Sequence, residues 1–340
     1  YTDVEVAPGA EYYYVVEAIN ADSCRSTIEN VVTLTGPEKP LIGITAVAVD
    51  DTPAGNRSGT VDPGESIDVF LTLQNISGTT GTGISGTLAT SEPGVTIEIG
   101  TQFFNDLAGL ESTTNTSGFR VALDETVTCG STLDFTFTAS DDSGCAVDTQ
   151  YFNVRVGVDE VQEADTFETD LGWVFDAASS TASSGDWTRG IPDATSHQPG
   201  GDSGDDGDLC WYTAPNGGGA GSDDVDDGEV VLLSPAFDLT TLGEPSVQYT
   251  RWFGNRDTGE DPDDYFWVEV SDDDGANWVT VEKLGSESAA PAWTQVSYPL
   301  DGLVSLTSQV RFRVRVSDGT LDGNLIEGGF DDFRIVEPYC

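Results

Sequence analysis

One local pattern limits what this chain can fold into. Short runs of β-branched and aromatic residues alternate with turns of Gly, Pro, Asp, Asn and Ser. No stretch carries a convincing amphipathic helical period. The clearest run is Ser66-Ile67-Asp68-Val69-Phe70-Leu71-Thr72-Leu73, whose period of two buries one face of a strand. Similar runs occupy 44–49, 84–89, 95–99, 118–123, 133–139 and 151–156, then 247–253, 265–270, 278–282, 293–298, 310–316 and 330–335. The fold class expected is all-β: an Ig-like β-sandwich followed by a jelly-roll β-sandwich.

The N-terminal part reads differently. Only three strand-like runs lie within residues 1–36, too few to close a sandwich of about seven strands. The Pro-rich Gly36-Pro37-Glu38-Lys39-Pro40 is a linker by composition. Three segments follow: 1–36, 37–157 and 158–340. Within the last, residues 176–229 are mostly Gly, Ser, Asp and Pro, and so long an irregular segment is usually functional or held by something other than a core.

Charge narrows the partners. Sixty Asp and Glu stand against 13 Lys and Arg, a formal net charge of -47. Nucleic acid and anionic membrane surfaces are poor partners for such a chain, and no apolar run is long enough to span a bilayer. The acids crowd onto turns. Asp202, Asp205, Asp206, Asp208, Asp223, Asp224, Asp226, Asp227 and Glu229 fall within one stretch. Hard cations take six to eight oxygens from loops of this kind, so Ca2+ is the expected cofactor. One set is Asp206, Asp208, Asp224 and Asp226; another, at the Asp50, Asp51 and Asp62 turn, would cap a third site.

Catalysis finds little support. His197 is the only histidine, lies in a Gly/Pro/Ser-rich loop and is expected to be exposed. No HExxH, phosphate loop or nucleophile motif occurs, so the chain reads as no enzyme. The five cysteines, Cys24, Cys129, Cys145, Cys210 and Cys340, form no CxxC pair and suit disulfides in an oxidising compartment. Cys129 and Cys145 flank one strand and its turn and are the expected local bridge; Cys210 with Cys340 is a second option. All seven Trp lie beyond residue 158. Trp187 and Trp211, beside the acidic loops, are the candidates for a sugar-stacking platform.

Several motifs carry a resemblance. Tyr12-Tyr13-Tyr14-Val15-Val16-Glu17-Ala18-Ile19-Asn20 resembles the end of a fibronectin type III domain. Val61-Asp62-Pro63-Gly64-Glu65, ahead of a strand closing on Leu73-Gln74-Asn75, looks like the Ig-like modules of secreted bacterial proteins. Residues 158–340 are similar to MAM-like and galactose-binding-like jelly rolls at the ends of large secreted proteins. Metallopeptidases of the zinc carboxypeptidase type, common in planctomycete-like bacteria, are examples. The matching elements are Cys210-Trp211-Tyr212-Thr213, Asp224-Val225-Asp226-Asp227-Gly228, Leu233-Ser234-Pro235, Tyr249-Thr250-Arg251-Trp252-Phe253, Val268-Glu269-Val270-Ser271 with Asp274-Gly275 and Trp278, and Ile326-Glu327 followed by Asp331-Asp332-Phe333-Arg334-Ile335.

The resemblance implies an extracellular or cell-surface, non-catalytic accessory segment, with calcium joining the first strand to the last through Glu168 and Asp332. A catalytic domain would lie upstream in the same polypeptide; the chain has no Met, so Tyr1 is read as the start of a mature or cut piece. Two other readings stand beside it: a carbohydrate-binding or adhesion module, and a fibre subunit that self-associates through its N-terminal strands.

Overall fold

The computed structural model describes residues 11–14, 32–35, 40–142, 149–204, 207–216, 219, 221–256, 263–285, 290–319 and 324–340. Cys24, Cys145, Asp205 and Asp206 fall outside them. Among the described residues every regular element is a strand, all named pairings are antiparallel, and no helix is long and apolar enough to cross a membrane. The chain forms two compact units, residues 1–158 with 339–340, and residues 159–338.

The first unit opens with a hairpin of β1 (Glu11–Tyr14) and β2 (Val32–Thr35). The sandwich proper uses β3 (Ile42–Asp50), β4 (Ser66–Asn75), β5 (Ser85–Ala89), β6 (Val95–Ile99), β7 (Thr101–Phe103), β8 (Ser112–Thr114), β9 (Phe119–Leu123), β10 (Thr132–Ser140) and β11 (Gln150–Arg155). One sheet runs β3-β4-β9-β6, with β8 also on β4, and the other runs β11-β10-β5-β7. The period-two reading of β4 holds: Ile67, Val69, Leu71 and Leu73 are all fully buried against Phe119, Phe135 and Phe137 of the same core. Asp68, on the other face, takes a two-pronged contact from Arg120 at 2.8 and 2.9 Å.

The expected Cys129–Cys145 bridge is not formed. Cys129 is bonded to Cys340, 211 residues away, with a Cα–Cα distance of 6.1 Å that suits a disulfide. Sequence proximity misled here because a disulfide needs only close Cα atoms, and the end of the chain returns beside the turn before β10. Cys210 is a buried free thiol, so it does not pair with Cys340 either.

The second unit is a jelly-roll-like sandwich. It contains β12 (Val158–Asp165), β13 (Val174–Phe175), β14 (Thr188–Gly190), β15 (Cys210–Tyr212), β16 (Gly228–Leu233), β17 (Ser246–Arg256), β18 (Tyr265–Ser271), β19 (Val279–Leu284), β20 (Ala290–Pro299), β21 (Arg311–Asp318) and β22 (Leu325–Tyr339). One sheet has the order β14-β15-β22-β17-β20 with β12 also on β22, and the other β13-β16-β21-β18-β19. Alternate residues of both sheets meet in one core: Val247, Tyr249, Phe253, Phe330, Phe333 and Ile335 from the first, Val230, Leu232, Phe266, Val268, Phe312 and Val314 from the second.

The central strand β22 changes phase once. Thr250 pairs with Asp331 and Gln248 with Arg334, so Tyr249 faces two residues, Asp332 and Phe333. This is a β-bulge, and Asp332 occupies its left-handed position at φ 48°. The extra residue lets Phe330 and Phe333, three apart, both point into the core.

Candidate functional site

Three places in the second sandwich concentrate chemistry. The first surrounds the bulge. Asp331 and Asp332 leave β22 toward Ser203, whose N–H donates to Asp331 Oδ2 at 2.9 Å and whose hydroxyl donates to Asp332 Oδ2 at 2.8 Å. From the start of the unit, Glu168 Oε1 accepts the N–H groups of Asp208 and Leu209 at 3.0 and 2.7 Å. Asp202 is raised above the ordinary carboxylate range by burial, then by the charges of Glu168 and Asp208, with Asp332 adding to them. Burial is also the main cause that lifts Asp331 to about 7. Glu168, Asp202, Asp208, Asp331 and Asp332 thus share one neighbourhood, which contains both residues named for the first-to-last-strand site.

The second place is one end of the sandwich. Strand alternation explains it. Below Phe266 on β18, Val316 on β21, Ile326 on β22 and Phe253 on β17, the next inward residues are Asp264, Asp318, Asn324 and Asn255. The apolar rows therefore end in a polar rim. Asp264, Asp318 and Asn324 are buried, as are Asp224 and Glu327 beside them. Asp264 is well supplied, accepting the Gly319 N–H at 2.7 Å and Asn324 Nδ2 at 3.0 Å.

Its neighbours are not. Asp224 Oδ2, Asp318 Oδ1, Asn324 Oδ1 and Glu327 Oε2 are buried oxygens without a hydrogen-bond partner. An unmet buried polar group costs about 1–3 kcal/mol, more when charged. Burial, then the charge of Asp226, pushes Asp224 up to about 6; burial, with Asp264, Asp226 and Asp224 nearby, pushes Asp318 to about 6. Glu327 rises to about 7 through burial and then Asp224. The set Asp206, Asp208, Asp224 and Asp226 is therefore divided. Asp208 belongs with Glu168, Asp224 and Asp226 belong with the rim, and Asp206 is outside the described residues. No three His, Cys, Asp or Glu side chains among the described residues make a ready-formed metal position.

The third place is the outer face of the β18–β21 sheet. Trp267 pairs across strands with Lys283 on one side and Arg315 on the other. Lys283 Nζ lies 4.4 Å and Arg315 Cζ 4.5 Å from its ring centre, and Arg313 Cζ lies 4.5 Å from that of Trp278. Glu229 and Glu269 receive the guanidinium groups of Arg315 and Arg313. Two clefts flank this strip. One, of about 480 Å³, is lined by Thr181, Glu229, Tyr265, Arg315 and Ser317 among others; the second, of about 380 Å³, by Ser179, Trp278, Arg311 and Arg313.

Other expectations change. Trp187 and Trp211 cannot form a stacking platform, because both are buried in the core at 2% and 9% exposure. Trp187 donates its indole N–H to the Val230 carbonyl at 3.3 Å. His197 is buried rather than exposed, in a loop whose backbone carbonyl sits against Gly254 of β17, where a Cβ would come within 2.4 Å of it. Cys210 is no nucleophile candidate: burial, reinforced by Asp331, Asp202 and Glu168, drives its thiol far above the ordinary range.

In the first unit, the Asp50, Asp51 and Asp62 turn supplies its own donors. Asp62 accepts from Asn56 Nδ2, Thr60 Oγ1 and Ser58 Oγ at 2.6, 2.7 and 2.8 Å. Burial alone would raise it, but these bonds leave it below the ordinary value.

Sequence reasoning missed Asp264, Asp318 and Asn324 as a group; each lies at or just beyond a strand end, and only register brings them together.

No protein-family model matches the chain, and no curated protein matches it. Among solved structures, a carbohydrate-binding module of the β-sandwich superfamily is 13% identical, covering 88% of this chain and all of that one, with a TM-score of 0.34. The K1 cleaved adhesin domain of Lys-gingipain from Porphyromonas gingivalis is 18% identical over 52% of this chain and 98% of its own, with a TM-score of 0.33. A xylan-binding CBM22 domain from Paenibacillus barcinonensis gives 12%, 54%, 99% and 0.29. Values this low say nothing about the ligand of this chain.

Proposed function

We propose that the chain is a non-catalytic accessory segment of a secreted or surface-displayed bacterial protein, and that its second sandwich binds carbohydrate. The supporting observation is the strip of Tyr265, Trp267 and Trp278 set among Lys283, Arg313 and Arg315 between two polar clefts. Paired guanidinium and carboxylate groups offer donors and acceptors to vicinal hydroxyls, and the aromatic rings offer apolar edges to sugar C–H groups. The ring faces of Trp267 are taken by cations, so the ligand lies across the ladder rather than stacking on that ring.

The test is binding to a panel of neutral and acidic polysaccharides by affinity electrophoresis. Trp278→Ala and Tyr265→Phe should weaken binding at least about tenfold, or 1.4 kcal/mol. Tyr151, 79% exposed on the first sandwich, provides the contrast. If only Tyr151→Ala abolishes binding, the strip is not the site; silence across the panel ends the carbohydrate reading.

A calcium-stabilised scaffold is part of the same proposal, supported by the gathering of Glu168, Asp202, Asp208, Asp331 and Asp332 around one segment. Chelation should lower the melting temperature of the wild type more than that of Glu168→Gln. Association with a peptidase domain in the same polypeptide is carried only by the sequence resemblance, and the parent sequence would decide it.

A further inference from the structure

We infer that the first sandwich carries a saccharide site of its own, a groove beside Tyr151 that takes an uncharged sugar chain. The groove has a volume of about 630 Å³, inside the range of small-molecule sites at roughly 300–1,000 Å³. It belongs to the first unit, whereas the Trp267 strip belongs to the second, and it does not depend on that strip.

Strand alternation builds the groove. In β10, Leu133, Phe135 and Phe137 enter the core, so Asp134 and Thr136 face outward. Register sets Tyr151 of β11 and Ala89 of β5 on either side of Thr136, and Asn153 beside Asp134. Ala89 is small, and past it the chain leaves β5 as Thr90, whose hydroxyl donates to the Asp134 carbonyl at 2.7 Å. The row therefore falls from a tall ring at Tyr151 to a low floor at Ala89. On the core side, Phe135 and Phe152 stack with ring centres 5.4 Å apart, which holds β10 and β11 together beneath the groove.

The groove offers both surfaces that a sugar ring needs. Tyr151 is 79% exposed, the highest value of any large apolar side chain among the described residues, and its ring presents a face to sugar C–H groups. The Tyr151 hydroxyl, the Asn153 amide and the Asp134 carboxylate have no hydrogen-bond partner among the described residues. A hydroxyl, an amide and an acceptor-only carboxylate are thus uncommitted on one face, and vicinal sugar hydroxyls can donate to the last while accepting from the other two.

Charge selects among sugars. No Lys or Arg lines the groove, and Glu92 Oε1 accepts the Asp134 N–H at 3.4 Å, which brings a second carboxylate close. A uronate or sulfated sugar would meet two acids, no lining cation and a chain of net charge -47. A neutral sugar carries no such penalty. The strip on the second sandwich, with Lys283, Arg313 and Arg315, is the opposite case.

The test is isothermal titration of the whole chain with cellohexaose, with xylohexaose and, as the anionic counterpart, with hexagalacturonate. A neutral probe should fill an equivalent that Tyr151→Ala removes or weakens at least about tenfold, and that Trp278→Ala leaves unchanged. Tyr151→Phe keeps the ring and should lose less than Tyr151→Ala; Asn153→Ala should also weaken the same equivalent. Tyr151 is exposed, so Tyr151→Ala should keep the wild-type melting temperature, and a lost equivalent then reports the site and not the fold. The inference is overturned if neither neutral probe fills an equivalent sensitive to Tyr151→Ala, or if hexagalacturonate fills it equally well. Loss on Trp278→Ala alone keeps the strip and overturns the groove; loss on Tyr151→Ala alone keeps the groove and overturns the strip.

Discussion

Deleting Asp332 tests whether the bulge on β22 serves a site rather than the core. With the bulge, Phe330 points inward, Asp331 outward, Asp332 is the extra residue, and Phe333 and Ile335 point inward. Without Asp332 the order becomes Phe330 in, Asp331 out, Phe333 in, Arg334 out and Ile335 in, a regular strand with every core residue on its proper side. The deletion removes a non-glycine residue at φ 48°, a conformation that costs about 1 kcal/mol or more. It also removes the Ser203 hydroxyl bond to Asp332, worth about 1 kcal/mol. The two nearly cancel, so the metal-free protein should stay within about 1 kcal/mol of wild type, a few degrees for a domain this size.

Deleting Arg334 instead sends Ile335 outward. Its transfer and void terms together cost about 3 kcal/mol or more, out of a total stability on the order of 5–15 kcal/mol. Urea denaturation of the two deletions, with chelator present, separates them. If the Asp332 deletion is as damaging as the Arg334 deletion, the phase argument is wrong. With Ca2+ added, the Asp332 deletion should lose stabilisation that the wild type gains.

Two further outcomes follow from burial and cross-linking. Asp224 and Asp318 at about 6, and Glu327 and Asp331 at about 7, exceed their ordinary values of 3.8 to 4.5, so between pH 4 and 7 the folded chain holds protons that the unfolded chain has released. Their contribution is present below pH 4 and lost as pH rises through 7, so the metal-free second sandwich should unfold at lower urea at pH 8 than at pH 5; a rising trend, unaltered in Glu327→Gln, would contradict their burial. Cys129→Ser opens a loop spanning 211 residues, worth at most about 5 kcal/mol, and calorimetry should show the first unit melting earlier; an unchanged scan would mean the bridge constrains little.

Much of the sheet was legible because alternation is a local property. The run at 66–73 announced a half-buried strand, and β4 buries Ile67, Val69, Leu71 and Leu73 as that period requires. The segment at 176–229 was harder. Its strands β14 and β15 have three residues each, too few to show a period, yet Trp187, Trp211 and Val225 from the same stretch enter the core. Exposure of His197 was misjudged for a related reason: a polar loop need not face water when it packs over a sheet, here across Gly254. The bridge from Cys129 to Cys340 had no sequence signal at all, since partners 211 residues apart are joined only by the fold.

The acidic turns show why composition could not by itself say which carboxylates are met by donors. The turn around Asp62 and the rim around Asp318 look alike as sequence, and both bury carboxylates. At Asp62 the neighbouring Asn56, Ser58 and Thr60 bring donors within the same loop, so the negative charge is met by hydrogen bonds and holds a lowered pKa. At the rim the charges near Asp318 are the carboxylates Asp264, Asp226 and Asp224, and its Oδ1 meets no donor. A net charge of -47 is common to both places and decides nothing. The supply of donors decides: Asp62 stays below its ordinary value, while Asp318, with Oδ1 unmet, is pushed up to about 6 by burial and then by the charges of Asp264, Asp226 and Asp224.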